Sequence, residues 1–290
     1  MIYLLLSIAI SSGLFVIFKL FENFKINTLQ AIVVNYLVAA ILGFSLSELP
    51  VSVNGIVGQS WFIGAVLLGF LFIAVFNLMA LTSQQNGLSV ASVAGKMSLV
   101  VGVIFGILYY KESANTVKIV GILLALLAVY LTSVKPTKNL KTNEKSSLLF
   151  PILLFFGSGC IDTSLKFIET TYVQSGGVPI FSATIFAIAF VLGILFLSIQ
   201  FLKGEFTFQI KNIIGGIVLG IPNYFSIVYL LKALSADGME SSTAFTVNNV
   251  GIVILSTLLG LFLFKERLSA KNWLGVLVAV VSVYLVFRHG

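Results

Sequence analysis

Apolar residues run along this chain in long blocks separated by short polar knots. A run of roughly 17 to 25 apolar residues is what a helix needs to cross a bilayer. Ten stretches satisfy that pattern: Ile2–Phe21, Thr28–Leu46, Trp61–Leu81, Leu88–Tyr110, Thr116–Val134, Leu148–Ile168, Val178–Leu202, Ile210–Leu231, Ser241–Phe264 and Ala270–Phe287. The breaks are short, as at Glu22-Asn23 and Gln84-Gln85-Asn86-Gly87. Lys135 to Ser146 differs, with Pro136 and lysines at 138, 141 and 145, and is too polar to lie in hydrocarbon. Pro151 and Pro179 fall in first turns, where a missing N–H costs nothing, whereas Pro222 lies inside the eighth span and predicts a kink. The pattern predicts an all-α integral membrane protein of ten transmembrane helices, with five in residues 1–134, a connector at 135–146, and five in 147–290.

The two halves repeat. Tyr110-Lys111-Glu112 followed by Gly121 and Tyr130 recurs at matching spacing as Phe264-Lys265-Glu266 followed by Gly275 and Tyr284. In the third spans Gly64 and Gly69 correspond to Gly215 and Gly220, and Asn86-Gly87 corresponds to Asp237-Gly238. Because five is odd, the second copy starts on the opposite side of the membrane, so the expectation is two five-helix inverted-topology repeats. Inverted repeats have two nearly equivalent packings, and exchanging them between halves alternates access to a midplane site. The Lys-Glu turns are expected to mark and pin helix ends.

Composition narrows the class further. The 290 residues are 59% hydrophobic and 9% charged, and the mean hydropathy is +1.11, far from the roughly 25% charged residues of soluble domains. The net charge of +7 resides mostly in short segments between apolar runs, without the basic stripe of a nucleic-acid binder. Cys160, the single cysteine, excludes an intrachain disulfide and reads as a membrane-buried thiol. The first span lacks a basic segment before it and a cleavage site after it, and is expected to be retained. The lone histidine is His289, and no His/Cys cluster, Gly-x-Ser-x-Gly or phosphate-gripping loop occurs. The sequence therefore reads as a non-enzyme without cofactors or metal sites; a membrane-embedded enzyme and a non-transporting receptor or scaffold are the alternatives.

Candidate chemistry lies in the polar residues within spans. A rise of about 1.5 Å per residue puts Lys96 about 12 Å into its helix, near the limit of snorkelling. Ser89, Ser92 and Lys96 share one face, while Gly102 and Gly106 form a small-residue seam on another. The functional reading of Lys96 is recognition of an anionic group in a watery cavity also lined by Asn35 and Asn77; the structural reading is a lysine tied to a carbonyl or carboxylate. Asn35 with Tyr36, Asn77, Asn223 with Tyr224, and Asn248 with Asn249 serve either to line that pathway or to cross-link helices. Asp162, four residues before Lys166, is either half of an intrahelical ion pair or, with its partner, a proton-coupling group raised in pKa by burial. Lys19 and Lys232, near span ends, are expected to snorkel.

Ten spans in similar halves, each with a Lys-Glu turn after its fourth span (Lys111-Glu112 and Lys265-Glu266-Arg267), resemble the EamA-like family of the drug/metabolite transporter superfamily. The resemblance implies a secondary active exporter or exchanger of small polar metabolites, such as amino acids or organic anions, working by alternating access. It also implies a multi-pass location in the cytoplasmic (inner) membrane. Expected partners are a small-molecule metabolite, the lipid bilayer, and protons or a counter-substrate, but no nucleic acid, with the chain acting as a monomer or homodimer.

Overall fold

A computed structural model of the chain describes residues 2–47, 53–109, 116–133, 148–173, 177–234 and 241–288. Among them are twelve helices: α1 (Ile2–Asn23), α2 (Thr28–Ser45), α3 (Val53–Val57), α4 (Phe62–Gln85), α5 (Leu88–Met97), α6 (Leu99–Tyr109), α7 (Thr116–Ser133), α8 (Leu149–Tyr172), α9 (Val178–Leu202), α10 (Ile210–Leu234), α11 (Ser241–Phe264) and α12 (Ala270–Arg288). Seven helical stretches are long and apolar enough to cross a membrane, and shorter apolar helical stretches at Ile119–Thr132, Leu149–Leu165 and Ala270–Leu285 stand where the fifth, sixth and tenth spans were expected. The connector at 135–146, the turn at Tyr110-Lys111-Glu112 and the Asp237-Gly238 pair lie outside the described residues, as do the surroundings of Gly106.

The expected span from Leu88 is one apolar stretch, Leu88–Tyr109, in which Ser98, itself in a helical conformation (φ -55°, ψ -22°), marks a tightened turn between α5 and α6. Pro222 lies inside α10, which continues through it. The chain also has α3, a five-residue helix that hydropathy did not signal.

The chain forms two compact units, each drawing on both sequence halves: Met1–Lys19, Leu78–Cys160 and Phe225–Gly290 in unit one; Leu20–Asn77 and Ile161–Tyr224 in unit two. In unit two, α2 packs along α9. A Cβ at Gly43 would meet Ala183 and one at Gly193 would meet Val33, so the two helices run antiparallel. Gly69 of α4 lies on α9, where a Cβ would come 3.1 Å from the Ala189 nitrogen, and Gly220 of α10 lies on α2, where a Cβ would come 2.9 Å from the Asn35 carbonyl. Trp61, Ala65, Leu68, Ile168, Phe181 and Ile185 form an apolar core at one end. At another end the side chain of Asn27 caps α2 by accepting the Gln30 N–H. Its backbone N–H donates to Asn212 Oδ1 at 2.9 Å, and the Asn212 amide donates to Gln30 Oε1 at 2.7 Å.

In unit one α7 packs along α12, and α5 contacts α7, α11 and α12. The first turn of α12 is held by a reciprocal cap: the Ser269 hydroxyl and N–H donate to Asn272 Oδ1, and the Asn272 N–H donates to Ser269 Oγ. The Asn272 amide then donates to the carbonyls of Leu131 and Thr132 at the end of α7, and further along Ser282 donates to the Gly121 carbonyl. These contacts make α7 and α12 antiparallel, and they satisfy carbonyls that the helix end would otherwise leave open.

Candidate functional site

The stretch Leu88–Tyr109 carries the most chemistry in unit one. Gly95 and Ser98 flank Lys96-Met97, and the helix tightens at Ser98 while keeping a helical conformation there (φ -55°, ψ -22°). The Ser98 hydroxyl donates to the Gly95 carbonyl at 2.6 Å, and the Val101 N–H closes a tight turn onto the Ser98 carbonyl at 2.9 Å. Lys96 lies in the last turn of α5, two residues before the tightened turn, and is partly buried. Gly159 of α8 lies against the same turn, where a Cβ would come 2.9 Å from the Ser98 carbonyl. Ser92, fully buried, donates to the Ser89 carbonyl at 3.1 Å, while the Ser89 hydroxyl, also buried, has no hydrogen-bond partner among the described residues.

Asn248 and Asn249 are buried in α11. Asn248 accepts the Ser7 hydroxyl of α1 at 3.0 Å, so it joins two helices.

Unit two holds the other predicted residues. Asn223 of α10 donates to Asn35 Oδ1 of α2 at 3.1 Å, with Asn35 wholly buried and Asn223 nearly so. The Tyr36 hydroxyl donates to the Phe72 carbonyl of α4 at 2.7 Å, and its ring packs against Phe76 and Phe186. Asn77 donates back to Ile73 of its own helix at 2.8 Å. Tyr224 is partly buried beside Gly43. Asp162 is exposed on α8, so protein packing does not supply the desolvation its ion-coupling role presupposes; the Lys166 side chain lies outside the described residues. Cys160 is free and lies on the protein surface of α8.

Sequence reading missed one polar centre, at the start of α5. Gly87 precedes it with φ +105° and provides no side-chain cap. Glu266, from the turn after α11, supplies the cap instead, its Oε1 accepting the Leu88 N–H at 2.8 Å. Burial raises the Glu266 carboxyl pKa, opposed by the N–H groups of Leu88 and Ser89 and by the charge of Lys19. Lys19 does not simply snorkel: its ammonium donates to the Gln84 carbonyl, and the Gln84 amide donates to the Phe18 carbonyl. Lys232 is exposed, 5.6 Å from the ring centroid of Tyr3. Among the described residues no three His, Cys, Asp or Glu side chains come together to hold a metal.

Seven helical stretches of spanning length and apolar composition, and no strand among the described residues, define a multi-pass, all-helical membrane protein. No family model matches the chain. An uncharacterized protein of Haemophilus influenzae is 28% identical over 290 residues, 98% of this chain and 97% of that one. Two Bacillus cereus proteins, each described as a probable glucose uptake protein GlcU, are 25% identical over 193 residues, which cover 64% of this chain and 63% of theirs.

Proposed function

We propose that the protein is a secondary active transporter of small polar metabolites in the cytoplasmic membrane, with Lys96 at the solute site. The observation that carries this reading is a partly buried lysine, Lys96, inside the apolar helical stretch Leu88–Tyr109. Ionisable groups within membrane spans are rare and most often mark a solute or ion pathway. Lys96 adds a cation, so the class of solute is one with a carboxylate or another anionic group.

Two facts about the whole chain favour a carrier built from inverted repeats of the EamA kind. The second spans of the two halves, α2 and α9, pack antiparallel, and so do the fifth, α7 and α12. The likeness to proteins named for glucose uptake supports transport, though over less than two thirds of their length. The test is uptake of radiolabelled D-glucose, gluconate, acidic amino acids and dicarboxylates into proteoliposomes. An anionic solute should enter faster than in protein-free vesicles, and Lys96→Gln should abolish that uptake. Background rates for the whole panel would refute the reading, and uptake of glucose but of no anion would remove the anionic assignment.

A further inference from the structure

The turn between α11 and α12 carries a cluster of exposed cations: Lys265, Arg267 and Lys271 fall within seven residues of chain. Glu266, between two of them, is the one acidic side chain among the described residues of unit one, and it faces inward. Its Oε1 accepts the Leu88 N–H of α5 at 2.8 Å, and Lys19 of α1 opposes its charge. The turn therefore presents three positive charges outward, and its only carboxylate is turned away from them. Lys265 stands just past the end of α11 with φ +52°, a left-handed conformation that glycine adopts freely and that a side chain opposes. A lysine is thus held where the backbone favours glycine. The flanks of the turn are apolar and exposed, with Phe262 and Leu263 on α11 and Trp273 and Leu274 on α12.

We propose that this turn binds the phosphate headgroup of an anionic phospholipid, with Lys265, Arg267 and Lys271 around the headgroup and the exposed apolar residues of α11 and α12 beside its acyl chains. Charge complementarity selects the occupant. A phosphodiester next to hydrocarbon is what a bilayer offers at the end of a spanning helix, and clustered lysine and arginine side chains there recognise anionic headgroups. Arg267 presents a planar fork that matches two phosphate oxygens at once, while the lysines act as point charges. Tryptophan suits the same depth, because its ring is apolar and its N–H polar. A soluble phosphate would use the cations but not the apolar flanks. A zwitterionic headgroup brings its own ammonium, which the cluster repels. The proposal concerns the lipids of the bilayer and is independent of the transport reading.

Quenching of Trp273 fluorescence by phospholipids with brominated acyl chains tests the site. The full chain is reconstituted in phosphatidylcholine bilayers containing brominated phosphatidylglycerol or brominated phosphatidylcholine. A Trp273→Phe protein supplies the signal of Trp61, the other tryptophan. Brominated phosphatidylglycerol should quench Trp273 at a lower mole fraction than brominated phosphatidylcholine, by up to about fivefold for each cation engaged. Lys265→Gly removes a charge while relieving the left-handed backbone. It should lower the preference by up to about fivefold, with the melting temperature unchanged or raised. Adding Arg267→Gln and Lys271→Gln should bring the preference close to one. Lys232→Gln, beside Tyr3 at the start of α1, should leave it unaltered. Equal quenching by the two lipids in the parent, or a preference that survives the triple replacement, overturns the proposal; if the triple variant fails to fold, an unchanged preference in Lys265→Gly does so. Loss of the preference in inorganic phosphate at fixed ionic strength would make the site one for soluble anions and overturns the lipid assignment. No solute enters these measurements, so their failure leaves the transport reading standing.

Discussion

An uncompensated ammonium at the bilayer centre costs about 2.5–3.5 kcal/mol on insertion scales, which sets the upper scale of what a partly buried Lys96 in an apolar helix could cost. If that penalty serves solute recognition, Lys96→Gln should eliminate uptake while leaving the melting temperature unchanged or raised. Lys96→Arg should be partly active, since a guanidinium keeps the charge but presents a wider planar fork. Both quantities are to be measured on the same purified protein; intact uptake with a lowered melting temperature would make Lys96 a structural group. At Glu266 the cap is the larger effect. Glu266→Ala removes the acceptor for the first amides of α5 and should cost about 1–2 kcal/mol, whereas Glu266→Gln keeps one acceptor and should cost less. The pH sign follows from burial having raised the carboxyl. The folded protein retains a proton that the unfolded chain, with a carboxyl near about 4.3, has already lost. That contribution is complete below the unfolded value and disappears as pH rises through the raised one. The stability advantage of wild type over Glu266→Gln should therefore shrink from acid to neutral pH, as read by thermal melts in detergent.

Among elements, glycines test the packing most directly because their neighbours differ. Gly220 touches the α2 backbone, whereas nothing lies within 4 Å of a Cβ at Gly13 in α1. Gly220→Ala should destabilise by about 1–3 kcal/mol through overpacking, and Gly13→Ala should be neutral or stabilising by about 0.5–1 kcal/mol through helix propensity; equal effects would mean α2 and α10 are not in close contact. The positions of the long helices were legible from their apolar runs because a chain in hydrocarbon must satisfy its backbone internally, whereas the short α3 was not. The tightened turn at Ser98 was not legible from hydropathy, since Leu88 to Tyr109 is apolar on both sides of it. The Gly95-x-x-Ser98 spacing was the signal available, and Lys96 inside it drew attention to its charge instead. The asparagines were legible as polar groups but not as partners: Asn35 and Asn223 meet across 188 residues of chain. Glu266 was read as a helix-end marker, but the end it pins belongs to α5 and lies 178 residues away.

For the whole molecule, the decisive property is whether the two proposed five-span repeats are inverted. In unit two the turn after α1 lies beside the start of α10, through the Asn27 N–H on Asn212 and the Lys211 ammonium on the Phe24 carbonyl. The opposite end of unit two, where α2 finishes against the start of α9, gathers Trp61, Ile168 and Phe181. The turn following the first span and the end of α8, its counterpart in the second half, therefore stand at opposite ends of unit two. A repeat related by an axis along the membrane normal would put them at the same end. In a Cys160→Ser background, single cysteines replacing Phe24 and Glu205 should react with a membrane-impermeant thiol reagent from one side of sealed vesicles. Cysteines replacing Gln59 and Tyr172 should react only from the other. All four positions are exposed, so a difference in labelling reports sidedness rather than packing. Reaction of Phe24→Cys and Tyr172→Cys from the same face would exclude inverted repeats, and with them exchange between two equivalent packings as the basis of alternating access.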